Sequence, residues 1–157
     1  MSLLSHTRRS QITKTILWVA FALFVLSLFL PAASNEQVYR LDRVCQNPQW
    51  DYGLAFLLVG PFGILFGQFG WFANPLMLLA AITRREFGLV FATLAILATT
   101  STTRTLTHFW RDGEPDDVVC GFGPGYYAWA ACSILVLIAV LVKPPQRTSS
   151  EAAIADS

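Results

Sequence analysis

The chain alternates long apolar runs with short polar interruptions, instead of mixing the two residue by residue. Ile16 to Leu30 is almost wholly apolar, Tyr52 to Thr83 carries no charged side chain, and Phe87 to Ala98 and Phe122 to Val142 follow. With its flanks, each run supplies roughly the 20 residues a helix needs to cross a hydrocarbon layer about 30 Å thick. The pattern predicts an all-α integral membrane protein, a bundle of four transmembrane helices over residues 12–30, 53–83, 87–107 and 122–142. These make one transmembrane domain, 12–142, preceded by a cytoplasmic segment 1–11 and followed by a tail 143–157. Pro144 and Pro145 stop the last helix, and the small polar residues of both 1–11 and the tail predict disorder.

The second run is too long for its task. At 1.5 Å per residue, a helix from Gly53 to Thr83 measures roughly 46 Å, half as long again as the hydrocarbon layer. Arg84 and Arg85 pin its inner end, which sets Asn74 about 15 Å deep, near the midplane. The excess then belongs outside, where "GPFG" (60–63) can bend the helix or lay its first turns in the interface. The third helix, running past Arg104 towards Trp110, is expected to project with it. A rival register puts Trp71 at the inner interface, Asn74-Pro75 in a turn and "LMLLAAI" (76–82) flat on the surface, but that segment lacks the polar face of an in-plane helix.

Composition and charge add an orientation. A hydrophobic share of 54% against 13% charged residues is too apolar for an ordinary soluble domain. Arg8, Arg9, Lys14, Arg84, Arg85, Lys143 and Arg147 flank the inner ends, whereas Arg40, Arg43, Arg104 and Arg111 share the two other loops with seven acids. That excess predicts both termini in the cytoplasm, with Trp50, Trp110, Tyr126, Tyr127 and Trp129 in an outer aromatic belt. "PAAS" (31–34) also fits a signal-peptide cleavage site, but the length of the first run and the three runs after it favour an anchor. "TRRSQI" (7–12) has Gln11 where a twin-arginine signal needs an apolar residue. No basic patch interleaved with aromatics is present, so nucleic acid is not an expected partner.

Candidate chemistry concentrates in the second run. Gly53, Gly60, Gly67 and Asn74 recur at sevens, as do Gly63, Gly70 and Met77, which would put them on one helical stripe. Gly60, Gly63, Gly67, Gly70, Trp71, Asn74 and Pro75 thus form a helix-packing groove or one that admits a ligand. Pro75 should kink the helix and free the carbonyl of Trp71. The Asn74 amide needs a partner on the third or fourth helix, with "TTSTT" (99–103) the richest supply. Thr99, Thr103 and Thr107 share a face and would be the polar lining of any route.

Cys45 and Cys120 lie in the two outer loops and suggest a disulfide, leaving Cys132 as a small core residue. Four-helix membrane thiol oxidases use C-x-x-C pairs, which this chain lacks. His108, Asp112, Glu114, Asp116 and Asp117 fit no cation-loop spacing, and His6 adds nothing to them. No metal site, cofactor or catalytic constellation is expected.

"GQFGWFANPLMLLA" (67–80) and "GFGPGYYAWAA" (121–131) resemble a set of small four-span bacterial inner-membrane proteins. These carry W-x-x-N-P in helix two and G-x-G-Y-Y-x-W opening helix four. Trp71, Asn74 and Pro75 match the first signature, while Gly121, Gly123, Gly125, Tyr126, Tyr127 and Trp129 fall around the second, which Pro124 interrupts. The resemblance spans about residues 10–142 and implies an architecture without a reaction. The expected role is a structural or accessory subunit of the inner membrane, in contact with the lipid bilayer and with a membrane-protein partner or further copies of itself. A small transporter or channel component using Asn74 and the threonine face is the alternative, and a thiol oxidoreductase comes third.

Overall fold

The computed structural model describes residues 2–38, 49–66, 69–105 and 116–144. Within them the chain is mostly helical, with one small sheet. Helix α1 (Ser2–Phe29) takes in the segment expected to be disordered, since no proline or glycine interrupts it before the apolar run, and leads directly into strand β1 (Pro31–Val38); strand β2 (Gln49–Tyr52) leads directly into helix α2 (Gly53–Val59). Two 3₁₀ segments, Gly60–Phe66 and Gly70–Phe72, precede helix α3 (Ala73–Ile82). Helix α4 (Arg85–Thr105), strand β3 (Asp116–Phe122) and helix α5 (Pro124–Val142) complete the described elements.

The second apolar run is therefore not the single helix expected over 53–83. Its break follows from Pro61, which has no N–H to offer the carbonyl of Leu57 and whose ring crowds it. The chain tightens into 3₁₀ geometry from Gly60, and the excess length is absorbed by the break, not by a projecting helix. Pro75 does not kink a helix either. It is the third residue of α3, where a missing N–H costs nothing because the first turn has no intrahelical acceptor for it. The Trp71 carbonyl is reached by the N–H of Ala73.

The sheet was not anticipated. Its order is β2-β1-β3, antiparallel throughout. Each strand continues a helix end: β1 leaves α1, β2 enters α2, and β3 enters α5 through Gly123. Three helix ends thus meet in one hydrogen-bonded cap. A register shift between Ser34 and Asn35, opposite Gly121 and Val119, leaves Cys120 as the extra residue of a bulge. Pro124 at the first position of α5 has its φ pre-set for the helix, which resolves the interruption in the second signature.

The core is built from small side chains. Ala73, Met77 and Ala80 of α3, Gly88, Ala92, Ala95 and Thr99 of α4, and Cys132, Ser133, Val136, Ala139 and Val140 of α5 are buried. Thr13, Ala20 and Ser27 of α1 are buried at intervals of seven, and so are Gly125, Cys132 and Ala139 of α5. The Cys132 thiol donates to the carbonyl of Ala20 at 3.2 Å, and Gly125 lies against the carbonyl of Leu30. Those two contacts set α1 and α5 antiparallel, with their small-residue stripes facing.

Large apolar side chains point the other way. Trp18, Phe21, Leu58, Phe62, Leu78, Ile82, Phe87, Leu97, Ile134 and Leu141 are all exposed, on every helix of the bundle. So broad an apolar exterior exceeds what a soluble monomer presents. Among the described residues two helices, Thr7–Phe29 and Pro124–Val142, are long and apolar enough to cross a membrane, while Gly53–Gly63 and Gly70–Ile82 are apolar but shorter.

Candidate functional site

The break in the second run creates the one feature that a continuous helix would lack. A partly open cavity of about 120 Å³ lies between α1, the start of the sheet, the broken segment and the first turns of α5. Its walls include Phe24, Phe56, Trp71, Phe122, Tyr126 and Trp129, with Asn74 and Thr102 among the few polar groups.

Trp71 holds the broken segment in place. Its indole Nε1 donates to the carbonyl of Leu57 at 3.1 Å, the acceptor that Pro61 leaves without a helical donor. The ring lies on Gly60, where any Cβ would collide with the indole. Gly70 is used in the same way, its open side filled by the Thr102 hydroxyl and thereby fixed to α4. Gly53 abuts the backbone of Ser27 on α1. The glycines thus do not line one face of one helix: they receive parts of this chain at three separate places. Gly63 is half-buried within the first 3₁₀ segment, and Gly67 lies outside the described residues.

Asn74 does bond across the bundle, to the fourth predicted helix instead of the threonine run. Trp129 Nε1 on α5 donates to Asn74 Oδ1 at 2.8 Å. An indole N–H can only donate, so this contact fixes which end of the amide is oxygen. The Nδ2 donors make no hydrogen bond to any described residue, and Asn74 lines the cavity.

Of the threonine face, Thr99 is turned into the helix packing. Thr99 is buried, donates to the carbonyl of Ala95 at 2.8 Å and shares a hydrogen bond with Ser133 of α5 at 3.0 Å. The Ser133 hydroxyl is in turn 3.5 Å from the Met77 sulfur of α3, so one polar knot joins three helices. Tyr126 donates to the carbonyl of Thr99 at 3.3 Å and stacks on Phe122 with ring centroids 4.4 Å apart. The residue of this run that reaches the cavity is Thr102. Of Thr103 only the helical backbone is described, and Thr107 lies outside the described residues.

Cys120 is half-buried at the bulge of β3, whereas Cys45 lies outside the described residues, as do His108, Asp112 and Glu114. Cys132 is a free thiol in the core. At the far end of the bundle from the sheet, Lys143 Nζ donates to the carbonyls of Ala81 (3.3 Å) and Thr83, holding the last turn of α3 against the end of α5. A cation there also opposes the negative end of the α3 dipole.

Sequence reasoning named Trp71, Asn74 and Trp129 but did not join them. It named Cys132 as a small core residue but missed Gly125, and the spacing of seven that joins both to Ala139 was readable. Comparison with protein-family models, with curated proteins and with solved structures returns no match.

Proposed function

We propose that this chain is a multi-pass protein of a bacterial cytoplasmic membrane that acts as a structural or accessory subunit. It crosses four times, through α1, the broken segment ending in α3, α4 and α5, with both termini in the cytoplasm and the sheet outside. The likeness to small four-span inner-membrane proteins points the same way.

The orientation is supported by where the charges gather. Lys143 on the α3 carbonyls lies beside Arg84 and Arg85, and the antiparallel packing of α1 on α5 brings the end of α1 that carries Arg8 and Arg9 towards them. This cationic end is the cytoplasmic one under the positive-inside rule. Asp51 and the first residues of β3, Asp116 and Asp117, belong to the opposite end.

The observation that carries the accessory role is the mutual pairing of the intramembrane polar groups. Among the described residues, Thr99, Ser133 and the Asn74 oxygen are taken up in bonds between helices, which stiffens the bundle and withdraws these groups from any solute path. Vesicles reconstituted with the purified protein should hold sodium and proton gradients as long as empty vesicles do. In mild detergent the chain should purify with one stoichiometric membrane-protein partner or as a defined oligomer. A solute flux that Asn74→Leu abolishes, with helical circular dichroism unchanged, would instead make the protein a transporter.

A further inference from the structure

We propose that the cavity beneath the sheet is a binding site for a lipid-soluble molecule with a planar ring and a ring carbonyl, the chemistry of a quinone head group. Three observations converge on that class. The first is size and openness: the cavity measures about 120 Å³, a little less than the about 150 Å³ that encloses a benzene ring, and it is partly open, so a planar ring enters with its far edge and substituents left at the mouth. The second is the lining, in which Trp71, Trp129, Tyr126, Phe122, Phe56 and Phe24 present aromatic surface to whatever enters. Offset or edge-to-face contact with a planar ring is the favoured use of such walls.

The third is the Asn74 amide. Its oxygen is held by Trp129, which leaves its NH₂ as the group Asn74 can offer a ligand, a donor without an acceptor among the described residues. Trp71 cannot compete for a ligand, because its N–H is committed to Leu57. A donor in an apolar surround selects for an acceptor, and a ring carbonyl supplies one without bringing a charge into the membrane. The cavity is partly open, which leaves a way out for an apolar tail. A fatty acyl chain would fill the space without using the aromatic faces, and its carboxylate would be costly at that depth.

The test uses the full chain in detergent micelles, titrated with decyl-benzoquinone and followed by equilibrium dialysis against protein-free micelles of the same detergent. Saturable uptake of one equivalent is expected, and decanoate should not displace it. Asn74→Leu, which keeps the volume and removes the donors, should weaken binding roughly five- to tenfold, the range for one lost hydrogen bond. Trp129→Phe keeps an aromatic wall but releases the Asn74 oxygen, so the amide is free to turn, and binding should weaken in the same direction as in Asn74→Leu but by less. Uptake that only follows detergent partitioning would overturn the site, and displacement by decanoate would replace the ring with an acyl chain. If Asn74→Leu does not fold, the wild-type titration and the decanoate competition still decide. Equal affinity in wild type and a folded Asn74→Leu would remove the amide from the account.

Discussion

Individual residues here are matched to backbone groups more than to one another. Pro61 removes a donor from the helix, Leu57 is left with a carbonyl in an apolar setting, and Trp71, ten residues later, reaches back to cover it. Gly60 is glycine because the indole occupies the space of its side chain. This coupling can be measured. Trp71→Phe keeps the ring but strips the donor, and should destabilise the protein by about 1–2 kcal/mol. Pro61→Ala restores a backbone N–H that can serve Leu57, so the same Trp71→Phe change made in a Pro61→Ala background should cost less than half as much. Equal losses in both backgrounds, read from denaturant unfolding in detergent, would mean that the indole bond and the proline are unrelated.

Elements assemble through small-residue stripes. Thr13, Ala20 and Ser27 against Gly125, Cys132 and Ala139 give α1 and α5 a shared interval of seven, the repeat at which two helices can stay in contact along their length. Ala20→Leu, at the centre of that contact, should overpack it and lower stability by about 1–3 kcal/mol, whereas Cys132→Ala should cost less because it shrinks the contact without driving the helices apart. The measurement is the thermal midpoint of each purified variant; a tolerated Ala20→Leu would contradict the register. Much of this layer was legible. Four apolar runs and their inner boundaries were visible, since Arg84, Arg85 and Lys143 mark them in any reading. The break in the second run was half legible: "GPFG" announced a bend, but Gly60, Gly67 and Asn74 at sevens suggested one continuous face. What decides it is the indole of Trp71, a contact across the break that periodicity does not encode. The sheet escaped for a similar reason, because "PAASNEQV" and "QWDY" have little alternation and pair only once three helices bring their ends together.

At the scale of the whole molecule, the packing is the reverse of a soluble domain's, with alanine, glycine and hydroxyls inside and leucine, isoleucine and phenylalanine outside. That arrangement suits a hydrocarbon solvent, where close approach of backbones replaces the drive that water supplies. In the proposed four-crossing arrangement the sheet and the cationic end fall on opposite sides. We propose a bond between Cys45 and Cys120 on the sheet side, because Cys120 stands at the bulge of β3, next to the strand that leads towards Cys45, while Cys132 is enclosed in the core. Such a bond would add about 2–4 kcal/mol. Non-reducing electrophoresis should give a faster band that both Cys45→Ser and Cys120→Ser abolish; full alkylation of two thiols without reductant would count against it. The most direct test of the account is sidedness. In a chain with its three native cysteines changed to serine, single cysteines replace Asn35 in β1 or Ser149 in the tail, and intact cells with a permeable outer membrane are treated with a membrane-impermeant maleimide. Position 35 should label at once and position 149 only after the inner membrane is broken; labelling of 149 in intact cells, or protection of 35, would contradict the four-crossing arrangement.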